Sequence, residues 1–278
     1  KALLHTSHLF EEACHGFAAQ GITVGTPKID VPTMIERKNT IVKQLTTGIK
    51  GLFKKNKVTL LNGHGSFVAQ SAGGWQVKVG EELVEAKQVI VATGSRSRHL
   101  AGVAVDNVLV CDNVGALEIN AVPKKLAIIG AGVIGLEMGS VWRRLGAEVT
   151  ILEALPDFLS VADVDVAKEA AKVFRKQGLN ILLGVTIGEV KAAKKSVSIA
   201  YTDKDGQAQK LDADRLIVSV GRVPNTEGLD AEAVGLKLDE RGRIDVDDHC
   251  RTNLPGVWAV GDVVSGPMLA HKAMEEAV

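Results

Sequence analysis

Neither sign of charge is in surplus: 33 Lys and Arg face 33 Asp and Glu, and no run of basic residues forms a stripe. That balance argues against nucleic acid and against an anionic membrane surface as partners, and it favours small, roughly neutral ones. Long apolar runs are missing too. No stretch approaches the roughly 18 residues that a membrane span needs, and the opening KALLHTSHLF interrupts its apolar residues with His, Thr and Ser, so neither an anchor nor a signal peptide is expected. Cysteine is scarce. Cys14, Cys111 and Cys250 are odd in number and far apart, which points to reduced structural thiols in a cytoplasmic, soluble protein. None belongs to a close redox pair, no metal site is expected, and the histidines His5, His8, His15, His64, His99 and His249 read as surface or satisfied core residues.

What is present is core material, with 46% hydrophobic residues in 278, enough for two domains or one large one. Helical and strand patterns alternate, as in an α/β protein. Residues 1–20 and 33–56 read as helices, the second with Met34, Ile35, Ile41, Val42, Leu45, Ile49, Leu52 and Phe53 at helical spacing. Short strands are predicted at Val58–Leu61, Ser66–Ala69 and Trp75–Val79, followed by VEAKQVIVATGS, a strand that runs into a glycine turn. The plan of residues 73–95 returns at 195–222: two strands about a polar turn, an acid, an apolar buried strand, then a turn with Gly. Two versions of one nucleotide-binding domain are therefore expected.

LAIIGAGVIGLEMGSVWRRLGAEVTILE, residues 126–153, is strand, glycine turn, helix and strand in succession. Gly130 turns the chain sharply out of the strand, Gly132 clears space for phosphate, and Gly135 lets the helix press on the strand. Gly139 extends that packing by one turn. Such a loop takes a dinucleotide's pyrophosphate onto a helix N-terminus. Glu153, at the end of the second strand, is placed to accept from an adenosine ribose, and ALPDF after it offers no Arg for a ribose phosphate, so NAD is favoured over NADP. Glu137 reads either as a solvated acid that complements the helix dipole or as a site residue near the nicotinamide. Asp262, in VWAVGDVV, ends a strand that is either simply buried or delivers a carboxylate to a site.

KALLHTSH, VIVATGS, IIGAGVIGLEMGS, SVGRVPNT, VWAVGDVV and GPMLAHKAMEEAV, in this order, resemble the flavin-dependent pyridine nucleotide–disulfide oxidoreductases along the whole chain. Within that family the branch that oxidises dihydrolipoamide, in its bacterial form, is the most similar. The resemblance implies two Rossmann-like domains for FAD and NAD, and a reaction in which dihydrolipoamide reduces an enzyme disulfide, the disulfide reduces FAD, and flavin reduces NAD. It implies that Lys1 follows the redox-disulfide motif and pairs, as a buried ammonium near flavin, with Glu137. Gly65, Thr93, Gly94 and Ser95 correspond to contacts with the adenine and phosphate half of FAD, Asp262 to the ribityl carboxylate, and Met268, Leu269, Ala270 and His271 to the loop at the pyrimidine edge. The corresponding NAD set is Gly130, Ala131, Gly132, Val133, Ile134, Gly135, Leu136, Glu137, Glu153, Ile187 and Gly221.

The implied division is an FAD-binding segment at 1–111, an NAD-binding domain at 112–236 and a return to the FAD domain at 237–278. Departures from the family pattern are as informative. No glycine loop precedes ATGS in the first domain, no CxxxxC is present, and the dimerisation domain with its His–Glu base is expected to lie beyond the last residue. An internal fragment without catalytic residues of its own is therefore expected. Ala277 stands where the family pattern has Gly. The implied partners are dihydrolipoamide on a carrier domain of a 2-oxoacid dehydrogenase or glycine cleavage complex, and a second copy of the parent as homodimer. Another FAD/NAD(P) reductase or transhydrogenase of the family, or a non-catalytic NAD-binding module, are the alternatives. Flavin absorbance separates the flavoproteins from the last.

Overall fold

Strands made of unbroken apolar residues need cover on both faces. LAII, VTIL and LIV obtain it in a five-stranded parallel sheet ordered Val110–Cys111, Arg215–Val218, Lys125–Ile129, Glu148–Leu152, Asn180–Leu182. Side chains alternate between its two faces. Leu126, Ile128, Val149, Ile151 and Ile217 join one core with the helix Val133–Arg144, whose Leu136, Val141 and Trp142 are buried, and with Leu3, Val31 and Met34. Ala127, Ile129, Leu152, Leu216 and Val218 join the other with Val197, Ile199 and Ala213 of an antiparallel three-stranded sheet, Thr186–Ala192, Val197–Thr202 and Ala208–Ala213. Each fully buried Ile or Leu in these layers contributes about 1.5–3 kcal/mol.

The computed structural model describes residues 1–278, which divide into two units. The unit just described comprises Lys1–Ile49 and Ser97–Gly221; the other comprises Lys50–Arg96 and Arg222–Val278. The second unit is built on an antiparallel sheet, Gly65–Ser71, Gly74–Val79 and Glu82–Ala86, followed by a parallel pair, Val89–Val91 with Val257–Ala259. Its core gathers Phe67, Trp75, Val91, Leu236, Ile244, Val257 and Val263. Phe67 and Trp75 meet edge to face at 5.7 Å, and the Trp75 indole N–H donates to the Pro255 carbonyl at 2.9 Å. The α/β class and the repeated plan of meander plus parallel strand are both present.

Local differences from the sequence expectations have physical causes. The first helix is α-helical over Ala2–Glu11, widens to a π turn at Glu12–Gly16 and tightens to a 3-10 turn at Phe17–Gln20. The second helix covers Val31–Lys55, and only the start of its apolar stripe is buried, at Met34 and Ile35; Val42, Leu45, Ile49 and Leu52 are exposed. Val58–Leu61 is not a strand. Val58 N–H instead closes the helix by donating to the Phe53 carbonyl at 2.9 Å, and without a neighbouring strand an extended segment leaves its ladder groups to water.

Candidate functional site

In the first unit the strand Lys125–Ile129 ends at Gly130, whose φ of +103° is open to glycine and strained for other residues. A Cβ at Gly130 would lie 2.5 Å from the Ser219 carbonyl oxygen, and one at Gly135 would lie 2.1 Å from the Gly130 oxygen. At Gly132 a Cβ would meet nothing within 4 Å, so this glycine faces open space. Gly132 also caps the helix Val133–Arg144 without a side chain, which leaves the first N–H groups of that helix unclaimed. The turn is held from two sides. Ser219 Oγ donates to the carbonyls of Ile129 and Gly130 at 3.2 and 3.1 Å, and Glu153 accepts from Ala131 N–H at 2.6 Å and Leu155 N–H at 2.9 Å.

Glu153 therefore stands beside the glycine turn with both carboxylate oxygens engaged by backbone donors. Val185 N–H donates to the Glu153 carbonyl at 3.0 Å, which brings the start of the strand holding Ile187 close to it; Ile187 sits at a register shift in that strand. Gly221, with φ +107°, accepts from Arg98 N–H at 3.0 Å. Lys1 Nζ donates to Glu137 Oε1 at 2.5 Å. The Lys1 side chain is 87% exposed and that of Glu137 31%.

The second unit brings another group together around the end of Val89–Val91. Thr93 Oγ1 donates to the Asn225 carbonyl at 2.7 Å, Asn225 Nδ2 donates to the Thr93 carbonyl at 3.0 Å, and Asn225 N–H donates to the Gly94 carbonyl at 2.9 Å. Ser95 Oγ donates to Asp262 Oδ2 at 2.5 Å. Arg222 donates from Nε to Ser95 Oγ at 2.7 Å and from Nη2 to the Ser95 carbonyl at 2.6 Å, and its Nε lies 3.9 Å from the Asp262 carboxylate. Gly65 opens the first strand of the same unit and lines a shallow hollow with Thr93, Phe67 and Val89. Met268 is half-buried, whereas Leu269, Ala270 and His271 are exposed where the helix Ala270–Glu276 begins.

Ser219, Arg222 and Asn225 were not singled out by sequence, although all three lie in SVGRVPNT. The hydrogen-bond partners described above lie 89 to 132 residues away, a separation at which no local period signals contact. The cysteines are free, and burial pushes the Cys111 thiol up to about 11. Burial, and then the nearby Glu276 carboxylate, raise Cys250. A raised pKa disfavours the thiolate, which is the nucleophilic form. No group of three or more His, Cys, Asp or Glu side chains is arranged to hold a metal ion, and no helix is long and apolar enough to cross a membrane.

A glycine turn with an uncapped helix behind it and an acid at the next strand end define a dinucleotide-binding α/β protein. The chain belongs to the pyridine nucleotide-disulphide oxidoreductase family, whose sequence profile matches residues 1–277 and whose members use FAD and NAD. It is 63% identical over 278 residues to dihydrolipoyl dehydrogenase of Cupriavidus necator, a match that covers all of this chain and 59% of the relative. To dihydrolipoyl dehydrogenase 1, mitochondrial, of Arabidopsis thaliana it is 45% identical over 280 residues, covering all of this chain and 55% of the relative. Among solved structures, LpdA from Mycobacterium tuberculosis shares the fold with a TM-score of 0.89 at 24% identity, over 99% of this chain and 60% of that one. The HOCl-induced flavoprotein disulfide reductase RclA from Escherichia coli gives a TM-score of 0.82 at 25% identity, over 99% and 58%. The chain thus spans somewhat more than half the length of these relatives.

Proposed function

We propose that residues 1–278 carry the NAD site and part of the FAD site of a dihydrolipoyl dehydrogenase, which passes electrons from dihydrolipoamide through a redox disulfide and FAD to NAD. The observation that carries this reading is the turn at Gly130–Gly135, open at Gly132 and braced by Glu153. The unclaimed N–H groups of Val133–Arg144 suit a pyrophosphate, and the Glu153 carboxylate has lone pairs left for ribose hydroxyls. A ribose 2′-phosphate would meet that carboxylate as a like charge, which favours NAD over NADP by about 1–3 kcal/mol.

When bound, FAD supplies the two-electron relay between a dithiol and the nicotinamide. The residues present fit it. Asp262, already accepting from Ser95, offers its carboxylate to a polyhydroxyl chain, while Arg222 balances the charge. Thr93, Gly94, Ser95 and Gly65 would take the adenine and phosphate half, and Met268, Leu269, Ala270 and His271 the ring edge. Lys1 Nζ donates to Glu137 Oε1 at 2.5 Å, and this positive charge would help stabilise negative charge on a reduced flavin. We assign 1–111 and 237–278 to the FAD domain and 112–236 to the NAD domain. The partners are dihydrolipoamide on a carrier domain of a 2-oxoacid dehydrogenase or glycine cleavage complex, within a cytoplasmic homodimer. Cys14, Cys111 and Cys250 include no close pair for dithiol exchange, so residues 1–278 alone do not oxidise dihydrolipoamide.

Titration of the purified polypeptide with NADH and NADPH, together with its visible absorbance, tests the reading. NADH should bind the more tightly, and residues 1–278, which hold only part of the FAD site, should take up added FAD weakly. Equal or tighter NADPH binding would sink the assignment of Glu153.

A further inference from the structure

Gly261, immediately before Asp262, has a φ of +81° that lays its backbone against the helix Ala270–Glu276; a Cβ there would lie 3.2 Å from that of Ala273. One ion pair on this helix takes both polar groups of the residue. Gly261 N–H donates to Glu276 Oε2 at 2.7 Å, and Lys272 Nζ donates to the Gly261 carbonyl at 3.3 Å. Lys272 and Glu276 meet at 2.6 Å with side chains only 17% and 20% exposed. The Lys272 stem also runs over Gly266, where a Cβ would lie 2.7 Å from Lys272 Cε. The pair therefore grips both ends of Gly261–Gly266 from the helix that starts beside Met268–His271.

We infer that Lys272 and Glu276 are positioning residues that set the Asp262 carboxylate and the Met268–His271 segment in one register, so that a flavin's ribityl chain and ring edge meet a prearranged pair of contacts. This rests on the FAD assignment above. The physical reason is the partial burial of the pair: loss of either member leaves a poorly solvated charge, and loss of Glu276 also strands the Gly261 N–H. Such a turn would relax, and Asp262 is its next residue.

Glu276→Gln keeps an acceptor for Gly261 and removes the charge, while Lys272→Met keeps the stem over Gly266 and removes the ammonium. In the native polypeptide stripped of flavin, FAD affinity, the visible band of the rebound flavin, NADH affinity and thermal midpoint are measured for each variant and for the double variant. Each single change should weaken FAD about tenfold and shift the flavin band, the double should be no worse than either single, and NADH binding should hold. FAD affinity and band both unchanged, even with a lowered thermal midpoint, would show a merely structural ion pair and overturn the inference. Failure of the unsubstituted protein to take up FAD would instead overturn the flavin assignment itself, and this inference with it. Should Glu276→Gln not fold, Lys272→Arg, which keeps the charge but is too broad for the path over Gly266, carries the same comparison.

Discussion

The segments QVIVATGS and RLIVSVGR, ending at Ser95 and Arg222, occupy the same place in two versions of one plan, each after a three-stranded antiparallel meander. Their surroundings differ. Ile217 lies between strands Val110–Cys111 and Lys125–Ile129 and is 0% exposed, whereas Ile90, on a strand paired only with Val257–Ala259, is 67% exposed. Full cover for such a side chain is worth about 1.5–3 kcal/mol, a contribution that Ile217 makes among residues 1–278. The turns that follow differ as well: Ser219 ties its strand to the glycine turn at Gly130, while the corresponding Ala92 has no hydroxyl to give. In the second unit the work of holding the turn falls to Asn225, Arg222 and Asp262. A shared supersecondary plan thus fixes where a site forms; the neighbours of its last strand decide how it is held.

The comparison can be broken most sharply at Gly135. Gly135→Ala places a Cβ against the Gly130 carbonyl, a backbone atom that cannot swing aside, and should cost about 1–3 kcal/mol of stability. NADH affinity should fall by about hundredfold in calorimetric titration while FAD uptake is unchanged. Loss of both cofactors together would mean that the two sites are not held independently. The complementary change, Asp262→Ala, leaves the Ser95 hydroxyl without its acceptor and Arg222 without its neighbouring carboxylate; it should weaken FAD by about 1.5–3 kcal/mol and leave NADH titrations as they were.

A finer test concerns which nucleotide the first unit prefers. Glu153→Ala removes the charge that a 2′-phosphate would meet, and the ratio of NADPH to NADH dissociation constants should narrow by about tenfold. Both constants should also rise somewhat, because Ala131 N–H loses its acceptor. An unaltered ratio would assign the preference to other residues.

The smallest effect is in acid. Burial alone would raise Asp106, but N–H donation from Val108, Val110 and Leu109 outweighs it and holds the carboxyl below its usual value of 3.8. In the second unit Asp247 is held down chiefly by the Arg251 N–H. A depressed folded pKa means that each contribution is complete above the unfolded value near 3.8 and is lost as pH falls through the lower folded one. Thermal midpoints measured from pH 5 downward should therefore decline only below about pH 4 on account of these turns. Asp106→Asn and Asp247→Asn, followed by separate probes of the two units, should each flatten part of that decline; a decline that begins near pH 6 would point to histidines instead.

Much of the architecture was legible because it is local. The apolar strands at 126–129, 149–152 and 216–218, the glycines of the turn and the acid at Glu153 announce themselves by period and spacing, since strand alternation and the steric demands of the turn act within a few residues. The repeated meander was visible for the same reason. Val58–Leu61, read as a strand from its composition, is not one, because β-branched composition describes only what a pleated surface accepts and pairing depends on a neighbour distant along the chain. The site residues divide along the same line: Thr93, Gly94, Ser95 and Asp262 could be named from their motifs, but the roles of Ser219, Arg222, Asn225 and Glu276 depend on what the chain brings back to them.

By itself, then, the sequence determined the α/β class, the family, and the glycine turn with Gly130, Gly132, Gly135 and Glu153, since those features follow from backbone sterics and short-range pattern. Only the tertiary structure decided that Glu153 accepts from Ala131, that Ser95 joins Arg222 to Asp262, and that Ile217 is fully buried. Each of these depends on burial or on a contact between residues distant along the chain, and both arise only when separate segments pack against one another.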